Sequence, residues 1–125
     1  MSEYVTALKK VRGLGSAKTG VHHWVAQRFT AITNIILTLW LFCILGHITD
    51  MDYNQAYAYM GRPFNAICGL LFIVSTFYHA KLGLQTVIED YIHCKYIKMA
   101  SLIVMNAIVY GAIIAGFFWI LKISL

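Results

Sequence analysis

Charge is scarce in this sequence. Of 125 residues, 12% are Asp, Glu, Lys or Arg against 60% that are hydrophobic, whereas soluble domains carry about 25% charged residues. That shortage excludes a water-soluble core of this size. Cysteine is also sparse. Cys43, Cys68 and Cys94 stand singly, with no C-x-x-C spacing to hold zinc or an iron–sulfur cluster, and read as small hydrophobes. A Gly-rich phosphate loop, an internal repeat and a low-complexity tract are all absent, which excludes a nucleotide or flavin site built from this chain. The first 28 residues lack the apolar stretch of a signal peptide and the Arg/Ser richness of a transit peptide, which favours a bacterial inner membrane over a mitochondrial one.

What is present is three long apolar runs, at about 29–48, 64–88 and 99–121. Each is close to the roughly 20 residues that a helix needs to cross hydrocarbon. The expected fold is an all-α membrane protein, a single anchor domain of three transmembrane helices behind a basic N-terminal segment, residues 1–28. The one proline, Pro63, opens the second run, where its missing N–H costs nothing. Lys9, Lys10, Arg12, Lys18 and Arg28 precede the first run, and Lys95 and Lys98 fall between the second and third, with only Arg62 and Lys122 on the other side. The positive-inside rule therefore puts the N-terminus in the cytoplasm or matrix and the C-terminus opposite. The net charge of +5 sits beside the spans and suits anionic lipid or an acidic partner rather than nucleic acid.

The chemistry concentrates in the second run. His79 lies inside a membrane-length apolar segment, where an ionisable group is a functional-site hypothesis by default. At about 100° per residue the eleven-residue step to Asp90 closes to within roughly 20°, so both share a face, about 16 Å apart along the axis. Gly83, one turn from His79, lies with Ser75, Thr76 and Thr86 on a small-residue strip that leaves room for something flat. Two readings of His79 stand side by side: a buried histidine bonded to a neighbouring helix, or an axial haem ligand. Under the second, His22, His23 and His93 at the inner surface and His47 near the outer one cannot reach the same iron, so a second histidine comes from another polypeptide. Asp90 and Tyr91 at the inner edge suit an interfacial belt, or a quinone pocket in which a phenol donates to a carbonyl and a carboxylate orients it or relays protons. Glu89 and Lys81 are weaker candidates, with Lys81 expected to snorkel inward.

Gly13 to Thr19 reads as a basic loop, and the segment from Gly20 to Arg28 leads into the first span, with Trp24 an interfacial anchor. His22, His23 and Arg28 gather at the inner headgroup level, as positive-inside anchors or, for the guanidinium, as a grip on a carboxylate such as a haem propionate. Thr30, Asn34 and Thr38 repeat every four residues, with Thr33 adjacent, a polar stripe expected to face protein. Residues 49–62, with Asp50, Asp52, Tyr53, Tyr57 and Tyr59, read as a short interfacial segment. Asn106, Gly111 and Gly116 in the third run suit helix packing.

Taken together, Gly20-Val21-His22-His23, Arg28, His79-Ala80 with Gly83, and Asp90-Tyr91 resemble the family of small hydrophobic membrane anchors of succinate dehydrogenase, respiratory complex II, along nearly the whole chain. The resemblance implies that His79 is an axial ligand of haem b and its iron, that Tyr91 binds ubiquinone with Asp90 supporting it, and that Arg28 and His22 lie near the haem propionates; the doubled histidine leaves His23 open for the same place. It implies a flavoprotein subunit, an iron–sulfur subunit and a second, cytochrome b556-like anchor as partners, so that succinate oxidation itself lies off this chain. Rival readings are a fumarate reductase anchor, a small proton or solute transporter using His79 and Asp90, and a scaffold whose polar residues only join helices.

Overall fold

The computed structural model describes residues 18–125, with side chains from residue 20 onward. It contains α1 (Lys18–Ile48), α2 (Tyr53–Met60), α3 (Pro63–Tyr91) and α4 (Lys95–Ser124). Helices α1, α3 and α4 run 31, 29 and 30 residues, and each is long and apolar enough to span a membrane. In hydrocarbon the helix is favoured because it satisfies every backbone N–H and C=O within its own segment. Apolar side chains are spread around α1 and α4 rather than gathered on a single face.

The helices extend beyond the apolar runs. Apolar runs mark where hydrocarbon ends, but helical hydrogen bonding continues through the headgroup zone, and spans longer than the bilayer is thick are accommodated there or by tilting. Lys95 and Lys98 are thus in the first turn of α4 rather than in a loop, and the α3–α4 connection shrinks to residues 92–94. Gly20 through Arg28 likewise belong to α1. Of the expected basic loop, Lys18 and Thr19 open α1, while residues 13–17 lie outside the described residues, as do Lys9, Lys10 and Arg12.

The expected interfacial segment folds as α2. Asp52 caps it reciprocally: its carboxylate accepts from the Gln55 N–H at 2.8 Å and its own N–H donates to Gln55 Oε1 at 3.3 Å. The Tyr57 hydroxyl donates to the Lys122 carbonyl at 3.0 Å and Asn65 Nδ2 to the Tyr59 carbonyl at 2.8 Å, tying α2 to α4 and α3. Gly61 is required by the closeness of this end: a Cβ there would stand 2.8 Å from the Ile123 carbonyl oxygen. Pro63 occupies the first turn of α3, as expected.

Helix α3 is central, packed against α1 on one side and α4 on the other. The buried set comprises Leu37, Ile44, Ala66, Leu82, Met105 and Val109 with Thr30, Asn65 and Ser75. Large apolar side chains such as Phe29, Ile36, Ile103 and Phe118 face outward. The polar stripe of α1 does face protein: Thr30 is buried, Ser75 Oγ reaches its carbonyl at 3.5 Å, and Thr76 Oγ1 lies 3.5 Å from Asn34 Oδ1.

Candidate functional site

His79 sits in the middle of α3, partly buried against α1. Its Nδ1 lies 2.9 Å from Thr30 Oγ1. The same hydroxyl oxygen is 2.8 Å from the Ala26 carbonyl and 3.1 Å from that of Gln27. One ring nitrogen is therefore engaged inside the protein, while Nε2 is engaged by no described side chain. Among the described residues no group of three or more His, Cys, Asp or Glu converges as a metal cage, so the donor this site offers is a single imidazole.

Gly83, one turn further along α3, has nothing within 4 Å of where a Cβ would be. Gly69 and Gly116 differ, since their Cβ positions would meet Ile120 Cδ1 at 3.1 Å and Ile73 Cδ1 at 2.8 Å. Those two are small because neighbouring helices press on them. Gly83, like Gly20, Gly46 and Gly111, is pressed by nothing among the described residues. His79 and Gly83 thus lie one helical turn apart on α3.

Toward the C-terminal end of α3, Gly20 and His23 of α1 and Gln85, Thr86 and Glu89 of α3 line a polar cavity of about 390 Å³. His23 shares Thr30's face, seven residues or about two turns away, which turns it toward α3, and its Nε2 is buried without a partner. His22, one residue earlier, is exposed. Gln85 Nε2 donates to Glu89 Oε1 at 2.7 Å, so Glu89 belongs to this cavity more than sequence reasoning allowed. Arg28 lies about 160° round α1 from Thr30; it is exposed, with its guanidinium 5.6 Å from the Trp24 ring centroid.

Asp90 and Tyr91 close α3 and are exposed, Tyr91 at 78%. The end that carries them is held: Lys98 Nζ donates to the Glu89 carbonyl at 2.7 Å, satisfying one of the orphan carbonyls of the last turn. Lys81 departs from expectation. Its ammonium donates to the Tyr110 hydroxyl at 2.8 Å and lies 4.7 Å from that ring's centroid. Helical side chains lean toward the helix N-terminus, and here the lysine is directed toward α4.

Thr30 and Lys98 were missed as functional partners. A signal for Thr30 existed in its seven-residue step from His23 and its place on the polar stripe. What the sequence lacks is the register of α1 against α3, which alone pairs it with His79.

Residues 2–115 match the model of the succinate dehydrogenase/fumarate reductase transmembrane subunit family. The chain belongs to that family. Similar relatives include the succinate dehydrogenase hydrophobic membrane anchor subunits of Rickettsia bellii, 36% identical over 104 residues and 83% of each chain, and of Paracoccus denitrificans, 33% identical over 114 residues, 90% of this chain and 86% of the relative. The succinate dehydrogenase membrane anchor subunit of Reclinomonas americana is 33% identical over 95 residues, 73% of this chain and 78% of its own. For a transmembrane subunit of this family, the membrane-spanning elements are α1, α3 and α4, and the exposed apolar surface of those helices is the lipid and subunit face.

Proposed function

We propose that this chain anchors a succinate:ubiquinone oxidoreductase in a bacterial cytoplasmic membrane, with its N-terminus and the α3–α4 turn on the cytoplasmic side. The observation that supports this most is the pairing of a membrane-embedded imidazole, engaged at Nδ1 and unengaged at Nε2, with the open side of Gly83. His79 Nε2 would be the donor from this chain to a haem b shared with a second anchor, which would supply a further histidine. Haem b, when bound, would supply a one-electron redox centre. The exposed Arg28 guanidinium and the exposed His22 imidazole, near the start of α1, would meet propionate carboxylates arriving from outside the chain. The flavoprotein and iron–sulfur subunits dock on the same side, and electrons from succinate reach ubiquinone at the inner membrane edge.

The chain's own part in quinone reduction is hydrogen bonding and proton handling. The Tyr91 phenol donates to a quinone carbonyl, and Asp90 orients that phenol or passes protons from the aqueous side. Both project from a helix end fixed by Lys98, so their exposure provides access for a ligand bound between subunits. Tyr91→Phe in the assembled complex is expected to lower succinate:ubiquinone reductase activity while leaving succinate oxidation with an artificial acceptor at its wild-type rate. Equal loss of both would indicate failed assembly and remove Tyr91 from the quinone site.

A further inference from the structure

We infer that Thr30 is the positioning residue for His79: its hydroxyl fixes the imidazole in the Nδ1–H tautomer and in one ring pose, so that Nε2 is the nitrogen presented to iron. This role rests on the haem-ligand reading of His79. It follows from hydrogen-bond accounting at one buried oxygen. Thr30 is 8% exposed, and its Oγ1 has three neighbours within bonding distance: the Ala26 and Gln27 carbonyls at 2.8 and 3.1 Å and His79 Nδ1 at 2.9 Å. A hydroxyl has one proton, and carbonyl oxygens only accept.

Two proton arrangements are available. If the hydroxyl donates to a carbonyl, its lone pair accepts from Nδ1–H, and both groups are satisfied. If it donates to Nδ1 instead, one bond is made rather than two, and the hydroxyl lone pairs face carbonyl oxygens at close range. In a low-dielectric interior a lost bond and opposed lone pairs are both costly. The first arrangement prevails, which protonates Nδ1 and leaves the Nε2 lone pair for a metal. Metal-ligating histidines generally donate their other N–H to an oxygen that sets tautomer, orientation and basicity. Here that oxygen comes from a different helix.

Thr30→Val keeps the β-branched shape and removes the acceptor. Thr30→Ser keeps the hydroxyl and removes a methyl. Ser75→Ala deletes another hydroxyl of the same seam without touching the imidazole. In the purified complex the readouts are haem loss to excess apomyoglobin and the low-spin electron paramagnetic resonance signal of oxidised haem. Outer-shell partners of metal ligands are worth roughly 10- to 100-fold in affinity. Haem transfer from Thr30→Val is expected to quicken on that scale with an altered low-spin signal, while Thr30→Ser and Ser75→Ala match wild type. Wild-type transfer and spectrum in Thr30→Val would overturn the inference, as would Thr30→Ser behaving like a hydroxyl-free variant or Ser75→Ala losing haem equally. If Thr30→Val misassembles, Thr30→Ala takes its place against Thr30→Ser, with the same two outcomes. His79→Ala separates the layers: retention of the full b-type signal there refutes the ligand reading itself, whereas its loss beside an unaffected Thr30→Val refutes only the positioning role.

Discussion

Gly83 puts the proposed haem site to the test at a single residue. A glycine inside a helix costs about 1 kcal/mol relative to alanine, and nothing within this chain occupies the space that its missing side chain leaves. On the proposed haem-ligand reading of His79, that face receives the haem. Gly83→Leu is therefore expected to leave the α1–α3–α4 packing intact and to overfill the haem flank. Overpacking costs about 1–3 kcal/mol, so haem content per flavin in the purified complex should fall roughly five-fold or more, while Gly83→Ala stays near wild type. Wild-type haem content in Gly83→Leu would remove Gly83 from the site. Lys81 is the contrasting case. An intramembrane ammonium invites a functional reading, yet this one is held by the Tyr110 phenol, and its role within the chain is to join two helices.

At the scale of elements, α3 carries the site because it is the one helix packed on both others. His79 faces α1 through Thr30, Lys81 faces α4 through Tyr110, and Gly69 and Gly116 let Ile120 and Ile73 approach across the α3–α4 contact. Gly116→Ala puts a Cβ 2.8 and 2.9 Å from Ile73 Cδ1 and Cγ2, whereas Gly111→Ala meets nothing within 4 Å. Thermal denaturation of the solubilised complex should show Gly116→Ala destabilised by about 1–3 kcal/mol and Gly111→Ala at or slightly above wild type, following helix propensity; equal effects would contradict the packing described. The spans, Pro63 at the start of α3, the polar stripe facing protein and the presence of His79 on a small-residue strip were all legible in the sequence, because hydropathy and the helical period are local properties. The helix ends were not, since hydropathy changes at the hydrocarbon boundary and hydrogen bonding does not. Nor were the Thr30–His79 and Lys81–Tyr110 pairs or the Lys98 cap, each of which depends on how two helices are offset along their axes.

For the whole molecule, the thin buried core and outward-facing Phe29, Ile36 and Phe118 suit a chain whose remaining surfaces meet lipid and other subunits. Lipid contact needs no burial, so a few buried residues suffice to register the helices while polar pairs specify which faces meet. The basic residues flanking the start of α1 and the start of α4 predict sidedness. A cysteine replacing exposed Asp50 in the α1–α2 turn, in a background without native cysteines, should react with a membrane-impermeant maleimide in spheroplasts and be shielded in inverted vesicles; the reverse pattern would invert the proposed orientation.

The central claim, that His79 holds haem b, is tested most directly by the reduced-minus-oxidised optical spectrum of the gently solubilised complex with and without His79→Ala. A b-type band is expected in wild type and should disappear or fall sharply in the variant while the flavoprotein and iron–sulfur subunits remain bound. A band of full intensity in His79→Ala, or no b-type band in the wild-type complex, would contradict the claim.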